Sequence, residues 1–111
     1  LQSAMCQCRR GAEAGFWLGS TAIFSGPWNA RMMIIGQAPG RVEAETTGLP
    51  FSGPAGKRLM RWLGEAGWPE EVCRARCYIT AVTKCYPGKV PSGRGDRKPG
   101  RREQQLCAPF L

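Results

Sequence analysis

The sequence predicts an α/β fold, an incomplete three-layer α/β/α arrangement around a central parallel sheet. Three observations predict it. Met32, Met33, Ile34 and Ile35 form a short apolar run that ends at Gly36, the pattern of a strand buried on both faces. Cys77 to Thr83 is a second run, rich in β-branched and aromatic residues as strands are. Between them Leu59, Trp62, Leu63 and Ala66 recur at helical spacing. Strand, helix, strand makes one βαβ unit with its two strands parallel.

In chain order, Leu1 to Gly15 is a basic lead-in bearing cysteines, and Phe16 to Asn29 reads as linker with a short extended piece at Thr21 to Phe24. Arg31 to Ile35 is the first strand. Gly53-Pro54 opens the helix, since Pro is tolerated in a first turn and Ser52 is placed to cap it. Gly67 is a good stop, and Trp68-Pro69 begins a short turn. Pro87 to Gly100 is loop, and Arg101 to Cys107 begins another helix. The organisation expected is one domain, with residues 1–30 as lead-in and 31–111 as the βαβ core with its basic loop.

At 111 residues the chain has room for one small domain or part of a larger one. It starts at Leu1 rather than Met and stops at Phe110-Leu111 within an apolar helix face. A doubly wound sheet also needs more strands, so an incomplete α/β domain is expected. Sixteen Lys and Arg against 8 acids give a charge of +8, which favours polyanions such as nucleic acid or anionic membrane surfaces over a merely solvated basic face. Lys84, Lys89, Arg94, Arg97, Lys98, Arg101 and Arg102 stand against the single acid Asp96. Such a glycine-rich run reads as a flexible loop that tracks a phosphate backbone. No apolar stretch approaches the roughly 18 residues of a membrane span, and no signal peptide is visible. The six cysteines are therefore expected in a reducing, cytoplasmic setting, where clustered thiols bind metal more often than they pair.

The chemistry is expected beyond the first strand, because ligand crevices in open α/β sheets lie at the carboxyl ends of strands. There Gly36 to Ser52 forms a loop rich in Gly and Pro, with carboxylates at Glu43 and Glu45 and a ring at Phe51. Gly53-Pro-Ala-Gly56-Lys57 is not a phosphate loop: Phe51 replaces the first Gly and Arg58 the hydroxyl that the motif needs. Arg94-Gly95-Asp96 matches an adhesion tripeptide and is read as coincidence. Cys85 follows the second strand, Cys107 comes one basic loop later, and Cys6 and Cys8 lie near the amino terminus. Four thiolates from two segments suit zinc or an iron–sulfur cluster, and with no histidine in the chain a protein-only site relies on cysteine or carboxylate. Cys73 and Cys77 form a competing Cys-x3-Cys pair, expected as one buried thiol and one exposed.

Together these segments resemble the uracil-DNA glycosylase superfamily in its iron–sulfur branch, of the family-four and family-five type. The matching pieces are Gly36-Gln-Ala-Pro-Gly40, Glu43, Gly48-Leu-Pro-Phe-Ser-Gly-Pro-Ala-Gly56, Tyr78-Ile-Thr-Ala-Val-Thr-Lys-Cys85 and Cys107-Ala-Pro-Phe-Leu111. They cover the amino-terminal half of such an enzyme; the later His-Pro-Ser loop has no counterpart here. The resemblance implies a DNA repair hydrolase that cleaves the N-glycosidic bond of uracil or a related deaminated base. The alternatives are a non-catalytic metal- or nucleic-acid-binding module of the same fold, or a truncated inactive fragment. Gly36, Ala38 and Pro39 would form the floor of a pocket for a flipped base, with the amide near Ala38 facing a pyrimidine carbonyl and Phe51 stacking on the ring. Gln37 and Glu43 fall at its catalytic positions. Cys6, Cys8, Cys85 and Cys107 would hold a 4Fe-4S cluster. The implied partner is DNA, with no membrane association and a monomeric state. Four departures stand out. Gln37 replaces a frequent Glu, Ala38 stands where other branches carry Asp or Asn, and Ala81 replaces an Asn that reads the uracil edge. The pattern Cys-x2-Cys would pair Cys8 with position 11, which is Gly11.

Overall fold

A computed structural model describes residues 1–111. Its helices are α1 (Gln2–Cys6), α2 (Arg10–Glu13), α3 (Pro54–Glu65), α4 (Glu70–Arg76) and α5 (Arg101–Cys107), and its strands are β1 (Met32–Gly36) and β2 (Cys77–Ala81). The strands pair in parallel, Met32 opposite Cys77 through Gly36 opposite Ala81. The molecule is thus a partial α/β fold, with α3 and α4 forming the crossover between the strands.

The core lies between that crossover and β2. Met60 of α3, Cys73 of α4, and Cys77 and Ile79 of β2 are buried together, with Ile34, Phe51, Leu63 and Trp68 packed around them. Helix α3 starts with Pro54 at its first position and ends as predicted at Gly67, which takes a φ of +92°. Gly67 donates to the carbonyl of Gly64 and Trp68 to that of Leu63, a two-bond C-terminal cap that also swings Trp68 onto the core.

Several expectations are corrected. The first strand is not buried on both faces: Met33 and Ile35, on the face opposite the core-packed Ile34, are about half exposed, because helices cover only one side of this two-stranded sheet. Met32 at the strand's start is about half exposed as well. Ser52 does not cap α3; Gly53 holds that position, and the Ser52 hydroxyl donates instead to the Leu49 carbonyl at 2.7 Å. The buried face of α3 carries Met60 and Gly56, whereas Trp62 points outward. The turn expected at Trp68-Pro69 leads into α4, with Pro69 as its N-cap and Glu70 and Glu71 in the first turn, where acids suit the helix dipole. Cys73 and Cys77 are both buried.

The linker before β1 is also firmly attached. Ser25 exchanges both backbone hydrogen bonds with Ile79, Ile23 donates to the Lys84 carbonyl, and Gly19 donates to that of Tyr86. This segment therefore runs along β2 and its extension on the side away from β1. The basic run after β2 is a braced hairpin rather than a loose loop. Lys89 and Asp96 bridge, and Arg97 makes a two-pronged contact with Glu103 at 2.6 and 2.8 Å while also holding the Pro87 carbonyl. Glu103 in turn accepts the Gly100 amide at the start of α5. Arg97 holds the Glu103 carboxyl below its ordinary range. Lys84 is buried and its ammonium donates to the Ala81 carbonyl. Neither Lys84 nor Arg97 is available to phosphates.

Candidate active site

At the carboxyl ends of the two strands lies a cleft of about 430 Å3, within the range of small-ligand sites. Gly36 to Gly40 enter it from β1, Thr80 and Ala81 from β2, and Phe51 and Gly53 to Gly56 from the approach to α3. The structure therefore brings Gly36, Gln37, Ala38, Pro39, Glu43 and Phe51 to one place. The loop is fixed there by β2's extension: Val82 donates to the Gly36 carbonyl and Thr83 to that of Gln37. The Ala38 amide has no protein acceptor and so remains a donor at the cleft. The Gln37 side chain is exposed.

Phe51 is the one residue other than glycine with positive φ, at 54°, a conformation that costs an L-residue about 1–2 kcal/mol. Three contacts hold it. Arg74 donates to the carbonyls of Pro50 and Phe51, each at 3.0 Å. Gly56 lets α3 approach so closely that a Cβ there would lie 2.0 Å from the Phe51 carbonyl carbon. Gly36 is just as constrained, because its Cβ would lie 2.8 Å from Cζ of the Phe51 ring. The ring therefore lies directly against the backbone of Gly36, the last residue of β1.

Glu43 is buried, and its Oε1 accepts the Gly53 amide at 3.0 Å. Its charge sits at the start of α3, where the helix dipole favours an anion. A wide helical turn follows it: Gly48, left-handed at φ +65°, donates back to the Glu43 carbonyl. Such turns recur at functional sites.

Two polar side chains of the cleft were not anticipated from sequence. Asp96 arrives from the basic hairpin; its Oδ1 accepts the Tyr86 hydroxyl at 2.8 Å and its Oδ2 the Arg41 amide at 3.4 Å. A Cβ on Gly40 would lie 2.9 Å from Oε2 of Glu43 and 3.0 Å from Oδ2 of Asp96, so one glycine separates two carboxylates. Burial, then the bond to Asp96, pushes the Tyr86 phenol up to about 12, which keeps it a hydrogen-bond donor. Thr80 is the other. It is buried, and its hydroxyl has no partner. Only the loop motif signalled this region; Asp96 lay inside a tripeptide with no apparent meaning.

The cysteines divide. Cys8, Cys85 and Cys107 line a second, mostly apolar pocket together with Gly11 and Leu106, whereas Cys6 is exposed outside it. Burial, then the neighbouring Cys107 and Cys8, pushes the Cys85 thiol up to about 11. No three His, Cys, Asp or Glu side chains stand in a metal-holding arrangement. No helix is long and apolar enough to cross a membrane.

A family model described as the uracil DNA glycosylase superfamily matches residues 23–111. Among individual proteins, a type-4 uracil-DNA glycosylase of Pyrobaculum aerophilum is 40% identical over 80 residues, covering 72% of this chain and 35% of that protein. A type-4 uracil-DNA glycosylase of Thermotoga maritima is 34% identical over 92 residues, covering 83% of the chain and 42% of that protein. A type-5 uracil-DNA glycosylase of Pyrobaculum aerophilum is 33% identical over 98 residues, covering 77% and 40% respectively. The chain thus matches only about two fifths of these relatives' length.

Proposed function

Because the chain belongs to the uracil DNA glycosylase superfamily, we propose that it forms the base-binding part of a DNA repair hydrolase. That enzyme would release uracil or a related deaminated base from DNA. The observation that supports this most is the convergence of Gly36, Ala38, Pro39, Glu43 and Phe51 on one cleft, with the Ala38 amide unengaged.

Each residue has a physical task in that reaction. A base must leave the duplex stack before its glycosidic bond is reachable, and the Phe51 face compensates for the stacking lost. Cleavage leaves negative charge on the departing base and positive charge on the sugar. The Ala38 amide suits the first and the Glu43 carboxylate the second. Gln37 cannot ionise and is assigned to orienting water or base. The Thr80 hydroxyl, beside Ala81, is a buried side-chain group of the cleft that lacks a partner. It can donate or accept, which suits tolerance of more than one base. Lys89, Arg94, Lys98, Arg101 and Arg102 are exposed and suit phosphate contacts.

A 4Fe-4S cluster on Cys6, Cys8, Cys85 and Cys107 does not fit the residues as arranged. Three of these thiols share a pocket with Gly11, and Cys6 lies outside it. The reaction above takes no step through a cluster.

A second reading, a nucleic-acid-binding module without catalysis, is favoured by Gln37 and Ala38, which offer no ionisable group. The test is base release from uracil-containing single- and double-stranded oligonucleotides by the protein at its natural length. Release supports the hydrolase; tight, salt-sensitive binding without release supports the module.

A further inference from the structure

We propose that Asp96 is a second catalytic carboxylate of the cleft, the group that takes the proton from the attacking water. The inference rests on the glycosylase reading and names a residue that reading had not used. Four observations carry it. Asp96 lines the same cleft as Gly36 to Gly40 and Phe51. It faces Glu43 across Gly40, both carboxylates approaching the same Cβ position within 3.0 Å. It remains exposed, whereas Glu43 is buried. Finally, the buried Tyr86 fixes its Oδ1, leaving Oδ2 with only the long 3.4 Å contact from the Arg41 amide.

The two carboxylates thereby have different tasks. Glu43 has Oε1 engaged by the Gly53 amide and is left the task of offsetting positive charge on the sugar. Asp96 is oriented, reachable by water and lightly engaged, as a general base should be. In the step, the water oxygen bonds to the sugar carbon as the carbon–nitrogen bond breaks. The bonding pair leaves on the base nitrogen, and the water's proton passes to Asp96. That proton then returns to solvent or to the departing base, so the net products are the free base and a hydroxylated sugar. Asp96 is faced by Glu43 across Gly40, by the Tyr86 hydroxyl and by the Arg41 amide, and Lys89 lies opposite it in the hairpin through a backbone bridge.

The test is Asp96→Asn in the protein at its natural length, on uracil-containing single-stranded DNA. Asn retains an acceptor for the Tyr86 hydroxyl, so the thermal midpoint should hold. The single-turnover rate should fall by roughly 10²-fold or more, the ordinary worth of a general base, with DNA affinity unchanged or tighter. The acid limb of the pH–rate profile should lose one unit of slope. An Asp96→Asn rate within twofold of wild type overturns the assignment and leaves the glycosylase reading intact. A slower rate accompanied by a lowered midpoint or weakened DNA binding overturns it in favour of a structural role. A wild-type protein that releases no base overturns both.

Discussion

Arg74 holds the Phe51 carbonyl at 3.0 Å from a helix 23 residues away, and by this bond α4 fixes the backbone of the ring that closes the cleft. The same guanidinium holds the Pro50 carbonyl and pairs with Glu70 at 2.9 Å. Arg74→Ala should cost about 2 kcal/mol, as expected for part-buried hydrogen bonds to a charged group. Arg74→Lys should recover only part, because an ammonium lacks the planar fork that spans two acceptors. Glu70→Gln should change stability by less than about 1 kcal/mol, since that carboxylate is largely exposed. Urea midpoints at low micromolar protein decide all three.

The Phe51 ring and the Gly36 backbone are in mutual contact, so each limits the other. Phe51→Ala should weaken engagement of a flipped base by roughly 1–3 kcal/mol. Gly36→Ala should do similar harm by displacing the ring, while Glu43→Gln should slow the chemical step and leave affinity nearly intact. Fluorescence titration with a base-analogue oligonucleotide, paired with single-turnover base release, separates these effects. An unchanged Glu43→Gln rate would remove that residue from the chemistry.

Thr80 offers a test in which stability and function should move apart. Its buried hydroxyl has no partner, so Thr80→Val removes an uncompensated polar group and should leave the fold unchanged or more stable. If the hydroxyl contacts the base, the same change should weaken binding. Thermal midpoints alongside base-analogue affinity check both halves.

Alkali should unfold the protein earlier than its charge alone suggests. The Cys85 thiol ordinarily ionises near 9.0 and in the fold near 11, and the Tyr86 phenol shifts from 10.0 to about 12. Between each pair of values the unfolded chain has released a proton that the fold still holds, so stability falls as pH rises. Loss should begin near pH 9 and continue to about 12. Lys84, pushed down by burial, acts in the opposite sense. Tyr86→Phe should flatten the upper part of the curve, as urea midpoints across this pH range would reveal.

Gly11 stands in the pocket with Cys8, Cys85 and Cys107. Its added Cβ would meet only the movable end of Leu18, at 3.0 Å. Gly11→Cys should therefore be tolerated and supply a fourth thiol. After anaerobic reconstitution the variant should retain more iron and show stronger visible absorbance than wild type. Equal iron content in the two would mean that position 11 does not limit metal binding.

The loop from Gly36 to Gly56 was legible because its chemistry is local: an apolar run stops, glycines permit close approach, and Pro54 starts a helix. Helix α4 was not, because Trp68-Pro69 has the composition of a turn, and only the fold makes Pro69 the N-cap of a helix. Trp62 fits the helical period as well as Met60 does, and only packing against Cys73 and Ile79 selects between them. Charge counting overstated the phosphate-binding surface, since it could not foresee Lys84 turned inward or Arg97 committed to Glu103. Asp96 was invisible for a related reason. Its role depends on Tyr86, ten residues earlier, and on Glu43, which only the folded hairpin brings opposite.

The attachment of Ser25 to Ile79 gives the sheet a direction of growth. With one flank of β2 occupied by Ser25 and the close-packed Gly26, another strand can join only alongside β1. That flank presents the unpaired backbone groups of β1, bordered by the exposed apolar side chains of Met33 and Ile35. In a nascent chain it is an adhesive margin, able to recruit a stray strand from another molecule as readily as one of its own. A chain stopping at residue 111 should therefore self-associate as its concentration rises, and a charge at Met33 should blunt that tendency.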